Sequence, residues 1–244
     1  ALLAADPVTS IVRARLRRVL PGGSARAIEV ASTAQRVAAE VRAEAPLPVE
    51  IRMLLVEMVA QRIAGDVQLA AQTGTRALAS IEAATVVDRT ALGRFAIAIR
   101  AEHAATLLPG VDWVAAIVNA DAVLAANSDL AIRLQMLTIG SLAHAMAGGT
   151  VESASLGAEA ESVRAAMRPT SAIALETEVP LAIADAARLV ERFELGAARD
   201  RLDGIRQHPA LDEHRPQELI VRAHIDLFDG RAAEGIEHLE RERR

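Results

Sequence analysis

Two stretches of the sequence repeat each other: LVERFELGAARDRLDGI at Leu189–Ile205 and AHIDLFDGRAAEGIEHL at Ala223–Leu239. They align at an offset of 34 residues, which places Gly196 on Gly230. Each copy reads as a helix that ends at a glycine, followed by a second helix with apolar residues at helical spacing. An offset of this length is typical of repeats that are built from helix pairs. The sequence therefore predicts an all-α array of such pairs.

The composition agrees with a helical fold. Of the 244 residues, 52% are hydrophobic but only 2% are aromatic, and Tyr is absent, so Ala, Leu, Val and Ile must form the core. Alanine is the best helix former, and alanine-rich surfaces let helices approach closely. The chain is too hydrophobic to be disordered.

Missing residue types exclude several classes of function. The sequence has no Cys, which excludes disulfides, thiolate metal sites and cysteine nucleophiles. All 27 basic residues are Arg, so a Walker-type phosphate loop and a Schiff-base lysine are excluded as well. The net charge of -5 argues against direct contact with nucleic acid through a broad basic face.

The sequence also contains no recognisable motif for a metal site, a cofactor or catalysis. None of the six histidines stands in a His-Glu-x-x-His arrangement, so we expect no metal site and no cofactor. Pairs such as Glu218 and Arg222 are interpreted as exposed ion pairs on helices. We expect a protein that is not an enzyme, and an all-α hydrolase or isomerase with an unrecognised site remains an alternative.

No targeting or membrane segment is evident in the sequence. The opening Ala-Leu-Leu-Ala-Ala run is too short for a signal peptide. The most apolar window, Leu130–Ala147, contains Arg133, Gln135 and His144 and is short for a membrane span. We therefore expect a cytoplasmic location and no membrane contact. The chain begins without Met, which is consistent with a fragment of a longer protein.

Helix caps and breakers divide the chain into about a dozen helices within one domain. Residues 1–45 are expected to form an N-terminal helical pair, and residues 46–244 about five further pairs. Asp88 is expected to cap one helix, and Pro180 to break or kink another. The expected helices of the central part span residues 48–64, 66–84, 88–108, 111–126, 129–147 and 151–167.

Five glycines are expected to mark the turns within the pairs: Gly65, Gly110, Gly149, Gly196 and Gly230. The fifth residue after each turn should be small, because the second helix must cross the first closely there. These positions hold Ala70, Ala115, Ala154, Arg201 and Gly235.

The stretch LFDGRAAEGI at Leu227–Ile236 resembles the turn of tetratricopeptide repeats. Its Ala- and Arg-rich form is similar to the helical-repeat region of large ATP-dependent LuxR-type transcriptional regulators, the MalT-like group, over about Ile51–Leu239. In that family a nucleotide-binding module precedes the repeats and a helix-turn-helix domain follows them. The aromatic positions of the standard repeat are mostly replaced here, and Arg201 stands where a small residue belongs.

The resemblance implies a right-handed α-α superhelix, a degenerate tetratricopeptide-like solenoid. It also implies a non-catalytic module that senses an effector or a partner within a bacterial transcriptional regulator. A free-standing scaffold for protein–protein interaction is the alternative. The repeats of the family bind a regulatory protein segment or an effector, and homo-oligomer formation stays open.

In tetratricopeptide-like pairs the first helix lines the concave side, and the residues 13, 10, 6 and 3 positions before each turn glycine share one face. This face predicts a groove for an amphipathic helix or for a small apolar or anionic effector. In it, Arg52 or Arg100 would pair with an anionic group and Met136 and Met146 would adapt to its shape. The alternative is ordinary core in a shifted register. The counted residues are Arg52, Leu55, Val59, Arg62, Ile97, Arg100, Ala104, Leu107, Met136, Ile139, Ala143, Met146, Ile183, Ala186, Val190, Phe193, Gln217, Ile220, His224 and Leu227.

Overall fold

The computed structural model describes residue 33 and residues 47–109, 112–126, 129–167, 172–208 and 210–242. These residues contain helices and no strand, so the predicted all-α class is confirmed. The expected N-terminal pair in residues 1–45 lies outside the described residues. The helices are α1 (Leu47–Ile63), α2 (Val67–Glu82), α3 (Val86–Leu107), α4 (Trp113–Ala125), α5 (Leu130–Met146), α6 (Thr150–Ala166), α7 (Ala172–Glu176), α8 (Glu178–Glu191), α9 (Leu195–Asp203), α10 (Leu211–Phe228) and α11 (Ala232–Glu242).

Side-chain caps explain where several helices begin. Asp66 accepts a hydrogen bond from the backbone N–H of Leu69 at the start of α2. The expectation that Asp88 caps α3 is wrong, because Thr85 is the N-cap and accepts from the backbone N–H of Asp88. The Thr85 hydroxyl also donates to the Asp88 carboxylate at 2.7 Å. Asp88, the third residue of α3, thus stabilises the N-cap by bonding to Thr85 through both its backbone and its side chain.

The break in the second half of the chain precedes the proline that was expected to cause it. The short helix α7 and the helix α8 are separated at Thr177, whose hydroxyl donates to the carbonyl of Ile173. Pro180 lies in the first turn of α8, where a backbone N–H has no intrahelical acceptor. The expected break is therefore present, three residues before Pro180, and the proline itself lies at the start of α8.

The helices pack in consecutive pairs. Contacts join α1 to α2, α3 to α4, α5 to α6, α8 to α9 and α10 to α11. The first helix of each pair also contacts the first helix of the next, in the order α1, α3, α5, α8 and α10. The core follows this series, since the largest group of buried apolar residues runs from Ala101 in α3 to Ile225 in α10.

Four turns within the pairs share one backbone conformation. Gly65, Gly148, Phe193 and Gly230 have positive φ angles of 87°, 85°, 60° and 76°. In each turn the next residue donates its N–H to the carbonyl five positions earlier, at 2.7–2.9 Å, as in a Schellman motif. The predicted turn glycines Gly65 and Gly230 are thus confirmed.

Gly149 also lies in the turn between α5 and α6 as predicted, one residue after the left-handed position, which Gly148 occupies. The predicted turn glycine Gly196 is wrong, and the remaining one lies at residue 110, outside the described residues. Gly196 lies three residues after the left-handed position of its turn, as the second residue of α9. The sequence alignment failed there because a phenylalanine holds a position that glycine usually takes. The equivalent of Gly230 is Phe193, so the true offset is 37 residues, the difference between 230 and 193.

The expected small residue at the helix crossing exists in all five described pairs. It is the fourth residue of the second helix, and it is buried, which lets the two helices approach. The predictions of Ala70 and Gly235 are confirmed, whereas Ala115, Ala154 and Arg201 were the wrong choices, because each is less buried than the crossing residue of its pair. The crossing residues are Ala70, Ala116, Ser153, Ala198 and Gly235.

None of the helices in the described ranges is both long and apolar enough to cross a bilayer.

Candidate functional site

The structure separates the six residues that were predicted to line one groove. The guanidinium carbon of Arg52 lies 5.0 Å from the centre of the Phe95 ring, in a cation–π contact. Arg100 donates to the carboxylate of Glu82 at 3.3 Å. Both arginines therefore have partners on neighbouring helices.

The two predicted methionines lie in the interior. Met136 is fully buried in the central part of α5, and Met146 is partly buried against the same core. Burial leaves Met136 with no surface that a ligand could contact. The neighbouring wall residues Val59 and Ile183 are fully buried as well. These positions match the alternative of ordinary core better than a groove.

Phe193 and His224 are brought together at the surface. The ring centroids of Phe193 and Phe228 are 5.3 Å apart in an edge-to-face arrangement, and those of His224 and Phe228 are 6.5 Å apart. Phe193 is 71% exposed, Leu227 53% and Phe228 49%. We call Phe193, His224, Leu227 and Phe228 the aromatic patch. It contains two of the three phenylalanines of the protein.

The backbone of Phe193 is strained as well as exposed. It is the only residue other than glycine with a positive φ among the residues that the structure describes. Bulky side chains adopt this conformation at a cost of roughly 1–2 kcal/mol. Neither burial nor backbone preference accounts for a phenylalanine at this turn, whereas Gly65, Gly148 and Gly230 satisfy the same motif without strain.

Ion pairs hold the turn between α10 and α11 beside the aromatic patch. Arg231 donates to Asp226 at 2.8 Å and lies 3.2 Å from Asp229. Arg199 donates to Asp229 at 2.6 Å and thereby links α9 to this turn. The backbone that carries Leu227 and Phe228 is thus fixed from two sides.

A buried polar centre lies where α1, α3, α5 and α10 meet. Arg62 donates to Glu102 at 2.7 Å and to Glu213 at 3.5 Å, and its side chain is 7% exposed. Gln135 borders the same centre, and neither polar atom of its amide has a hydrogen-bond partner among the described residues. The cavity there measures about 40 Å³, which is room for about three water molecules. This centre is suited to buried water rather than to an organic ligand.

A second polar cluster connects α5, α6 and α8. Arg188 donates to the Ser153 hydroxyl at 2.7 Å and also pairs with Asp185, which in turn accepts from Arg201 at 3.0 Å. A Cβ at Gly157 would lie 3.1 Å from the Ser141 hydroxyl, closer than ordinary contact, so the glycine leaves room for that serine. Burial lowers the pKa of Arg188, although Asp185 acts against that shift. These bonds connect α8 to α6 and α9.

His103 is a buried histidine in α3. Its ring lies against Gly74 of α2, where an added Cβ would come within 2.7 Å of the ring. Burial lowers the pKa of His103, against the effect of the Ala71 carbonyl, which raises it. The neutral imidazole is therefore the form that the fold favours.

Four arginines surround a cavity of about 330 Å³ between α9 and α10. The sequence-based interpretation of Glu218 and Arg222 as an exposed pair is wrong, because Glu218 is 1% exposed and accepts from Arg222 at the base of the cavity. Burial alone would lower the pKa of Arg222, but Glu218 and Asp203 outweigh it and raise the pKa above its ordinary value. We call this cavity the arginine pocket. Its lining residues are Arg199, Arg206, Arg215, Glu218, Leu219, Arg222, Ile225 and Asp226.

Sequence reasoning missed the arginine pocket, although a signal for it exists. Arg199 and Arg206 are seven residues apart, and so are Arg215 and Arg222. Residues seven apart lie on one face of a helix, as Arg215 and Arg222 do in α10. One such pair in α10, together with Arg199 in α9 and Arg206 in the turn that follows it, was an indication that arginines would converge.

Within the described ranges, no group of three or more His, Asp or Glu side chains is placed to hold a metal ion.

Comparison with known proteins adds no relative to this picture. No family model matches the sequence, and neither a curated protein nor a solved structure matches the chain.

Proposed function

We propose that this chain is a partner-binding module built as a right-handed, tetratricopeptide-like superhelix. The first helices contact one another in series, as expected of a solenoid, and the bond between Arg62 and Glu213 adds a contact between the first and last described pairs. The Schellman turns and the small residues at each helix crossing recur from pair to pair and support repeated units of one design. The left-handed turn residues Gly148, Phe193 and Gly230 are 45 and 37 residues apart, which are longer units than the usual 34.

The aromatic patch is the observation that carries the binding function. Exposed aromatic residues are enriched in protein–protein interfaces, where their burial stabilises a complex strongly. At Phe193 the exposure of a large apolar side chain is combined with a left-handed backbone. Strain that does not serve the fold is most simply explained by a role in binding. The proposed ligand is an apolar segment of a regulatory protein.

The wider assignment is a non-catalytic sensing module of a LuxR-type, MalT-like transcriptional regulator in a bacterium. It rests on the resemblance of the Leu227–Ile236 stretch to the turn of such repeats. A free-standing scaffold would use the same patch. The coding sequence on either side of this segment distinguishes the regulator from the scaffold. For the regulator, we expect a nucleotide-binding module encoded upstream and a helix-turn-helix domain encoded downstream. Start and stop codons close to the two ends would contradict it in favour of the scaffold.

The binding function is tested by removing the strained ring. The variant Phe193→Gly keeps the turn, because glycine adopts its backbone conformation freely. Proteins that co-purify with the wild-type chain from its own cells are compared quantitatively with those that co-purify with Phe193→Gly. We expect a specific partner to be reduced at least tenfold.

A matched control removes another exposed apolar side chain far from the patch. Val151, at the start of α6, is 75% exposed, and Val151→Gly should retain the partner. Equal retention of every partner by Phe193→Gly and the wild type would refute the aromatic patch as the binding surface.

A further inference from the structure

We propose that the arginine pocket binds the phosphate monoester of a small molecule, as a ligand site separate from the aromatic patch. Guanidinium groups present paired N–H donors in a plane that matches the oxygens of a phosphate. The cavity of about 330 Å³ lies at the lower end of the size range of small-molecule sites. Its walls combine the charged groups with Leu219, whose partly buried side chain offers an apolar surface to a short carbon skeleton.

The buried carboxylate of Glu218 organises the arginines. One of its oxygens accepts from Arg222, and the other lies 3.3 Å from Arg215. A guanidinium has five N–H donors, so each of these arginines keeps donors beyond those that Glu218 uses. Glu218 is 1% exposed, and its hydrogen bond fixes the side chain of Arg222, while Arg215 lies within ion-pair distance. Fixed donors reduce the entropy that a bound anion would otherwise cost.

The charge of the pocket matches a dianion. Four arginines and two carboxylates line it, which leaves an excess of two positive charges, four minus two. Asp203 and Asp229 reach Arg222 and Arg199 from outside the lining. Their side chains are 57% and 41% exposed, so solvent weakens these pairs and a ligand can compete with them. A phosphate monoester carries a charge of about −1.5 to −2 at neutral pH.

Arg206 has the fewest ion-pair partners of the four arginines within the described residues. Among the residues that the structure describes it makes no ion pair, and it is exposed. Nothing in the fold therefore depends on its charge. It stands at the pocket opposite α10, at the end of the turn that follows α9, where it can close on a ligand that the α10 arginines hold.

Titration calorimetry at constant ionic strength tests the proposal, with inorganic phosphate and free phosphoserine as ligands and serine as the neutral control. The wild-type chain should bind both phosphates at one site and should not bind serine. The variant Arg206→Gln should weaken the affinity at least tenfold, with an unchanged thermal midpoint. Arg89→Gln is the matched control, since Arg89 is also exposed, makes no ion pair within the described part of the chain and lies on α3.

Three results would overturn the proposal. They are no saturable binding of either phosphate at millimolar concentration, equal binding of serine and phosphoserine, and equal affinity of the wild-type and Arg206→Gln proteins. Phosphate should also raise the thermal midpoint of the wild type more than that of Arg206→Gln, because ligands that bind the native state stabilise it. Loss of the aromatic patch by Phe193→Gly should leave phosphate binding intact, which separates this site from the proposed partner surface.

Discussion

Helices α5 and α10 are both the first helix of a pair, yet their surroundings differ. Twelve of the 17 residues of α5 are buried, but only five of the 18 residues of α10. Helix α5 has neighbours on most sides, whereas α10 exposes one face with the aromatic patch and borders the arginine pocket with another. The same helix position is thus enclosed in the middle of the array and more exposed in the last described pair, where both proposed binding surfaces lie.

Substitution in α5 should give the largest loss of stability. Met136→Ala removes a fully buried side chain and leaves a cavity, which should reduce the free energy of unfolding by about 2–5 kcal/mol. Leu227→Ala in α10 is the control, because Leu227 is 53% exposed and should change the stability by less than about 0.5 kcal/mol. Urea denaturation measures both. Equal losses would show that α10 is packed as tightly as α5.

Within α10 the exception is Glu218, which is buried and charged. Glu218→Gln keeps the shape but removes the charge that Arg215 and Arg222 share, and should cost about 2 kcal/mol. Glu234→Gln in α11 is the control, because its 62% exposed side chain pairs with Arg231 at 3.7 Å and should contribute little. Chemical denaturation at low salt compares the two. A Glu218→Gln protein as stable as Glu234→Gln would mean that water already screens the pair.

The interior of the array should also respond to pH. Because burial lowers the pKa of His103, the unfolded chain binds a proton more readily than the folded one. The free energy of unfolding should therefore fall as the pH decreases through 6.5, the ordinary pKa of histidine, and recover above it. His103→Gln should remove part of this dependence. Thermal midpoints of the wild type and of His103→Gln across this pH range test the prediction, and identical profiles for the two proteins would contradict it.

The smallest effect on stability is expected where the largest effect on binding is proposed. Phe193→Gly loses the edge-to-face contact with Phe228, worth about 0.5–1.5 kcal/mol, but relieves a left-handed backbone that costs a similar amount. The free energy of unfolding should therefore stay within about 1 kcal/mol of the wild type. Phe228→Ala loses the same contact without that relief and should be the less stable variant. The reverse order would show that Phe193 serves the fold.

The helices were largely predictable from sequence because their ends carry local signals. Asp66 and Asp129 cap α2 and α5 as their sequence context indicates, and Gly65 and Gly230 occupy the left-handed turns. The repeat register failed at Phe193, since no local rule assigns a left-handed conformation to phenylalanine. A shift of three residues there misplaced the counted face of α8 and brought Phe193 into the predicted wall by coincidence of numbering.

The candidate sites were less predictable because they depend on which side of each helix has a neighbour. Arg52 and Arg100 were correctly recognised as cations among apolar residues, but their partners Phe95 and Glu82 come from neighbouring helices. The burial of Glu218 has the same origin. Helical spacing predicts which residues share a face, and only packing decides whether that face is covered.

The bond between Arg62 and Glu213 has a consequence for how the array unfolds. The two residues are 151 positions apart, and they join α1 to α10. In repeat proteins whose units contact only their neighbours, terminal units can fray independently. Opening of the first described pair would separate Arg62 from the fully buried carboxylate of Glu102 and would also break the contact to Glu213 of α10. We therefore expect α1 to unfold together with α3 rather than independently.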